Sequence, residues 1–388
     1  MSTMVKKTIF SIVAILIILF LVAVNFGPAI MEKTLNKQID VSSYKVSDEA
    51  KALHAKLNIM DWHADTLLWN RDFLVHSDYG HVDFPRLREG NISFQMLTTV
   101  TKSPKGQNYE ENTADSDQLT DLVMLQGWPR KTWDSLLERA LYQSEKLDRI
   151  VEASKGTVVF IKSQADLAKQ KSNKLASLSV LLGTEGSHPL EGDIKNIDTM
   201  YDAGFRMFGL THFFDNKLGG SLHGISGKGL TDFGKEAVLR MNELEVIIDL
   251  AHASEKMAWE VTKMIERPQV VSHTGFKGAC DTPRNFPDDL MQAIAAKGGL
   301  IALGFWDAAV CTPTPEGIAK SMQYGIELVG ADHVALGSDW DGSTTSIPSN
   351  NIATITDAML KIGISEEDIS KVMGANSIAF LKKWLPAS

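Results

Sequence analysis

Cysteine is nearly absent from this chain. Two thiols in 388 residues, Cys280 and Cys311, allow at most one disulfide in an exported protein and would stay free in a reducing compartment. Sequence alone does not pair them. A basic surface is missing too: 39 Lys and Arg stand against 48 Asp and Glu, a formal charge of −9. Phosphate binding needs grouped Lys and Arg, and no such cluster appears, so nucleic acid is excluded as a partner. There is no internal repeat, and no second folded domain is required. With 44% hydrophobic and 22% charged residues, the chain has the make-up of a globular protein with material for a large core.

Charge is most conspicuously absent near the N-terminus. Lys6-Lys7 is followed by TIFSIVAILIILFLVAV, and no charge occurs from Thr8 to Met31. A basic flank before a long apolar run describes a signal peptide or an uncleaved signal anchor. The length of the run and the lack of a clean small-x-small cleavage site favour the anchor. By the positive-inside rule Lys6 and Lys7 stay cytoplasmic, which puts the body of the protein outside the membrane, periplasmic or extracellular; a cleaved segment would leave a soluble secreted form. The expected organisation is therefore an anchor or signal over 1–31, a linker over 32–50 and one domain over 51–388.

What is present within that domain is a recurring unit: a short apolar, β-branched run, a polar or Gly-containing loop, then a helical pattern. The runs are LNIMDW (57–62), ISFQML (92–97), LSVLLG (178–183), FRMFGL (205–210), VIIDLA (246–251), QVVS (269–272), GLIALG (299–304) and HVALGS (333–338). Continuous apolar strands alternating with helices indicate a parallel sheet covered on both faces. Eight of them predict an α/β fold, the (β/α)8 or TIM barrel. The helices are legible at TDFGKEAVLRMNELE (231–245), opening on a capping Thr231 or Asp232, and at WDSLLERALYQSEKLDRIVEA (133–153). The acidic stretch YEENTADSDQ reads as solvated surface.

Active sites of such barrels lie at the C-terminal strand ends. Those ends carry His63 and Asp65 after the first strand, Glu185 after the third and His212 after the fourth. His252, His273 and Asp339 follow the fifth, sixth and eighth. In a strand, residues i and i+2 share a face, so His63 and Asp65 aim at one spot. A lone His at a strand end is more often structural than catalytic. Four of the ten histidines at four strand ends, with three carboxylates, point instead to a metal site. A His and carboxylate set without thiolate suits Zn²⁺ or a similar divalent ion, and it is large enough for two ions about 3.5–4 Å apart sharing a bridging carboxylate.

From about Leu57 to Leu385 the chain resembles the membrane (renal) dipeptidase family of zinc peptidases, a branch of the amidohydrolase-like barrels. HVDFPRLREGNISFQ, GLTHFFDNKL, GLTDFGKEAVLRMN, DLAHAS, SHTG, RNFPDDL and GSDWDG occur in family order. The resemblance implies that His63 and Asp65 bind one zinc, that His252 and His273 bind the other, and that Glu185 bridges them. It implies that His212 polarises the scissile carbonyl, Arg284 holds the carboxylate of a dipeptide and Asp339 is the acid/base residue; Asp341 is a neighbour of open role. A surface ion pair with Asp288 or Asp289 is the plain alternative for Arg284.

The expected activity is hydrolysis of dipeptides with a free C-terminal carboxylate, with two Zn²⁺ per chain; whether a C-terminal D-residue is accepted is left open by the sequence. A metal-dependent amidase or lactonase acting on another peptide-like metabolite is the alternative, and an inactive, membrane-anchored binding protein is a third reading that the presence of Asp339 and Arg284 opposes. Family members are often homodimers. Ala251 stands where the family usually has Ser, Glu245 where Gly is common, and the loop from Thr99 to Ala114 fits least well, which leaves substrate preference open. His54, His76, His81, His188, His223 and His333 lack a ligand-like register and read as surface or supporting residues, while Trp69, Trp306 and Trp340 are candidates for the pocket lining.

Overall fold

In the computed structural model, residues 3–169 and 177–388 are described, apart from the side chains at 3, 6, 16 and 19–21. Eight strands form the centre: β1 (Ile59–Ala64), β2 (Ile92–Val100), β3 (Leu178–Glu185), β4 (Phe205–Gly209), β5 (Ile247–Asp249), β6 (Val270–Thr274), β7 (Leu300–Leu303) and β8 (Val334–Leu336). Each pairs in parallel with the next, and β8 pairs with β1 through Leu336 and Asp61, so the sheet closes on itself. The barrel expected from the eight apolar runs is present. Every residue of β1, β3, β4 and β6 is buried, as strands covered on both faces must be.

One strand of the main sheet escaped the sequence reading. Val158–Phe160 pairs in parallel with the first residues of β3, Leu178 to Val180, before β4 joins at Leu182. Its three residues are too short a run to stand out from the helix before it. That helix, Leu136–Ala153, is N-capped by Ser135, whose side chain accepts from the Glu138 N–H. The helix Asp232–Glu243 is capped by Thr231 in the same way, accepting from Gly234.

The core lies mainly between the strands and the surrounding helices. A separate apolar cluster includes Met60, Trp62, Met96, Leu181 and Met207, each a few residues before a strand end, and is closed by Phe380 and Leu381. Cys280 and Cys311 form a disulfide with Cα atoms 5.5 Å apart, tying the loop after β6 to the loop after β7. Glu245 adopts φ +57°, the left-handed region where glycine costs nothing, which explains why Gly is common there.

The N-terminal run forms one helix, α1 (Thr3–Leu35), with Pro28 inside it. Lys6, Leu16, Leu19, Phe20 and Leu21, part of the expected anchor, have side chains outside the described set, and among the described residues no helix is long and apolar enough to cross a membrane. The expected linker is tied down: Lys37–Gln38 pairs in parallel with Thr345–Ser346, beyond β8, and Asp48–His54 forms a helix capped by Ser47.

Candidate metal centre

Glu185, the last residue of β3, stands at the meeting point of the strand ends. Its Oε1 lies 3.1 Å from His252 Nε2, 3.2 Å from His273 Nε2 and 3.6 Å from His63 Nε2, while Oε2 lies 3.4 Å from His212 Nε2. His63 Nε2 is also 3.5 Å from Asp65 Oδ1. Ligand atoms within 4.8 Å of one another define three overlapping buried groups: His63–Glu185–His273, Glu185–His212–His252 and His63–Asp65–Asp339. All seven residues singled out at the strand ends come together.

Two side chains that the sequence reading missed fix the histidines. Ser272 Oγ lies 3.2 Å from His63 Nδ1 and 2.9 Å from His273 Nδ1, and it donates to Asp249 Oδ2 at 2.6 Å. With its only proton committed to Asp249, the hydroxyl accepts from both rings. Each imidazole therefore holds a proton on Nδ1 and turns Nε2 into the cluster, the supporting arrangement usual around bound metals. Ser272 was legible only as a member of a strand, since nothing local marks a hydroxyl that serves two rings.

The electrostatics of the cluster favour a cation. Burial lowers the His63 pKa, but Asp65 and Glu185 outweigh it and push it up to about 10. Burial, reinforced by Asp65, raises Glu185 well above the ordinary carboxylate range, and burial raises Asp339 to about 8. His252 and His273 are driven well below their usual value by burial, and His212 to about 4 by the same cause. Three buried carboxylates thus crowd beside the neutral imidazoles of His212, His252 and His273, with a proton on His63 offsetting part of their charge; His63 Nε2 lacks a hydrogen-bond partner and the Nε2 atoms of His252 and His273 are only 2.9 Å apart. Oxygen and nitrogen donors converging on one buried volume, free of thiolate, fit divalent zinc or a similar ion.

Two members of the cluster also have left-handed backbone. His252 and Asp339 have φ +62° and +59°, values unusual for non-glycine residues that persist where surrounding structure enforces them.

Arg284 is buried rather than on the surface. Its Nη2 donates to the His273 carbonyl at 2.7 Å and lies 3.4 Å from His252 Nε2, and its guanidinium sits 5.4 Å from the Trp306 ring centre. The surface pair with Asp288 is not formed: Asp288 accepts from Gly278 N–H and Tyr324 O–H. His212 Nδ1 is 3.4 Å from the Lys102 carbonyl, an oxygen that can only accept, so this contact places the proton on Nδ1 and turns the Nε2 lone pair toward Glu185.

The loop after β2 supplies part of the cavity wall through Ser103, Gln107 and Tyr109, and Trp306 Nε1 donates to Tyr109 Oη at 2.9 Å. Trp69 lines the cavity, whereas Trp340 is buried and donates to the Ile347 carbonyl. Of the histidines set aside, His54, His81, His188 and His223 are buried; His76 and His333 are not.

A family model described as membrane dipeptidase (peptidase family M19) matches residues 47–384. A dipeptidase of Aspergillus oryzae, aclJ, is 27% identical over 362 residues, covering 84% of this chain and 78% of that protein. An uncharacterized dipeptidase of Schizosaccharomyces pombe, C965.12, is 25% identical over 359 residues, 85% of this chain and 80% of its own length. Among solved structures, the probable dipeptidase PvdM of Pseudomonas aeruginosa superposes with a TM-score of 0.71 at 20% identity, covering 87% of this chain and 98% of that one. A Rhodobacter sphaeroides metallopeptidase liganded with a phosphinate mimic of L-Ala-D-Ala gives 0.70 at 21% identity, over 84% and 99%.

Proposed function

Since the chain belongs to the membrane dipeptidase family (peptidase family M19), we propose that it is a binuclear zinc dipeptidase that hydrolyses dipeptides with a free C-terminal carboxylate, C-terminal D-residues among them. The observation that carries this reading is Glu185, whose two carboxylate oxygens reach the Nε2 atoms of four histidines within 3.1–3.6 Å. His63 and Asp65 would hold one zinc, His252 and His273 the other, with Glu185 shared. Zinc bound there supplies an acidified water and a Lewis acid for the scissile carbonyl.

The chain's own groups do the rest. Asp339 takes a proton from the attacking water and returns it to the departing amine, a transfer suited to a carboxyl whose buried position raises its proton affinity. Arg284, buried and rigidly held, binds the substrate carboxylate through parallel N–H groups, which selects dipeptides over chains that continue past that point. His212 stays neutral, and to donate to a substrate oxygen from Nε2 it must exchange its long contact with Lys102.

The same reading puts the barrel outside the cytoplasm, held to the membrane by α1. Its support is the charge-free run from Thr8 to Met31 behind Lys6-Lys7, the exposed Phe10, Ile18 and Phe26, and a disulfide of the kind that persists in oxidising compartments.

The test uses the full chain in detergent: count bound metals by mass spectrometry and follow hydrolysis of L-Ala-L-Ala, L-Ala-D-Ala and their C-terminal amides. Two zinc ions with cleavage of the free acids only is the expected result. Metal without dipeptide cleavage moves the substrate to another amide or a lactone, and absence of metal overturns the ligand assignment.

A further inference from the structure

The cavity above the strand ends has a volume of about 440 Å³, within the range of about 300–1,000 Å³ usual for small-molecule sites. Its two sides differ in chemistry. Arg284 and His252, from the β5 and β6 ends, are polar. On the β1 side, across an eight-stranded barrel from β5, an apolar strip of Leu68, Trp69 and Leu122 lies beside Asp65 and Asp341. Two more apolar residues complete it, Met31 and Leu35, and these belong to the last turn of α1, outside the barrel. Spaced four apart, they share one helix face, and each is 38% exposed, leaving apolar surface turned to the cavity.

The position of that helix end is fixed by ties to the loop that carries Asp339. Glu32, next to Met31 and buried, accepts from Arg71 Nε at 2.7 Å, and Arg71 Nη2 donates to Asp341 Oδ2 at 2.6 Å. Asn36 Oδ1 accepts from the Ser343 N–H at 2.8 Å, and the strand Lys37–Gln38 pairs with Thr345–Ser346. On its other side α1 approaches the helix Leu119–Leu125 at Gly27, where an added Cβ would lie 3.2 Å from Leu125 Cδ2. A buried carboxylate, a backbone pairing and a close helix crossing together make this a built wall.

We propose that the last turn of α1 forms a specificity subsite, with Met31 and Leu35 contacting an apolar side chain on the substrate residue that supplies the scissile carbonyl. The inference rests on the dipeptidase reading. A dipeptide with its carboxylate on Arg284 and its carbonyl over Glu185 directs its first residue away from Arg284, toward the β1 side. The anchor helix then selects substrate as well as tethering the enzyme.

The experiment compares the full chain with the Met31→Ser/Leu35→Ser double variant and with Leu35→Met, in detergent, on Leu-Ala, Gly-Ala, Ala-Leu and Ala-Gly. The ratio of kcat/KM for Leu-Ala over Gly-Ala is expected to fall about fivefold or more in the double variant, since one methylene in an apolar pocket is worth about 10–200-fold at full burial, and to be retained in Leu35→Met. The ratio for Ala-Leu over Ala-Gly is expected to hold. An unchanged first ratio, or an equal fall in both, overturns the subsite while leaving the dipeptidase intact. A wild-type chain that cleaves none of the four overturns the dipeptidase reading and the subsite with it.

Discussion

Asp339 and Asp341 sit two residues apart in GSDWDG, both buried, both in left-handed backbone at φ +59° and +60°, yet they meet opposite surroundings. Asp341 is saturated: its carboxylate accepts from Thr66 Oγ1 at 2.8 Å, Arg71 Nη2 at 2.6 Å and the His81 N–H at 2.6 Å. Burial alone would raise its pKa, but Arg71 and His81 hold it below the usual carboxylate value. Asp339 has no ion-pair partner among the described residues, and burial lifts it to about 8. A carboxylate satisfied by its own protein is a structural post. One left in want of partners, aimed into a cavity beside other donors, is available for chemistry.

The strongest way to test this contrast is to remove the ionisable carboxyl at the site. Asp339→Asn should cut kcat/KM about 10²–10⁴-fold, the usual range for a lost general acid/base, while zinc content and the urea midpoint stay near wild type. Loss of zinc would instead make Asp339 a ligand, and the contrast would collapse.

Breaking the satisfied side should cost stability. Arg71→Met strands the buried carboxylates of Asp341 and Glu32, and removing one partner of a buried pair costs about 3–5 kcal/mol, readable as a lower urea midpoint. An unchanged midpoint would mean that the network contributes nothing to the fold.

Ser272→Ala sharpens the comparison from beneath the site. It removes the shared acceptor of two imidazoles and should weaken zinc binding about 10–100-fold in chelator competition, with little change in the disulfide or the barrel. Equal affinity would show that the Nδ1 protons of His63 and His273 need no such support.

The smallest effect concerns histidines that belong to neither cluster. Burial depresses His188 and His223 to about 3, below their unfolded value near 6.5. The fold therefore keeps them neutral while the unfolded chain binds protons, so their contribution is complete above about pH 6.5 and is lost as pH falls toward 3. The loss is up to about 1.4 kcal/mol per pH unit for each. Urea midpoints at pH 7 and pH 5 should converge in His188→Asn relative to wild type; the same slope in both proteins would show that His188 is free to protonate in the fold.

Much of this was readable in one dimension. The eight strands announced themselves because a doubly covered strand must be apolar throughout, and His63, Asp65, Glu185, His212, His252, His273 and Asp339 because polar groups at the ends of such strands need a reason. Val158–Phe160 was too short to register. The pairing of Cys280 with Cys311 was open until the loops after β6 and β7 were seen side by side. Ser272 and Asp249 looked like ordinary strand residues, since their role depends on which rings lie above them.

The sequence by itself determined the barrel and the set of side chains gathered at its rim, because strand period and apolar runs are local properties that survive without neighbours. Tertiary structure alone decided which aspartate of GSDWDG is saturated, which imidazole nitrogen bears the proton and that the end of α1 walls the cavity. Those outcomes turn on desolvation and on hydrogen bonds between residues as distant in the chain as Glu32, Arg71 and Asp341, and no short stretch of sequence contains them.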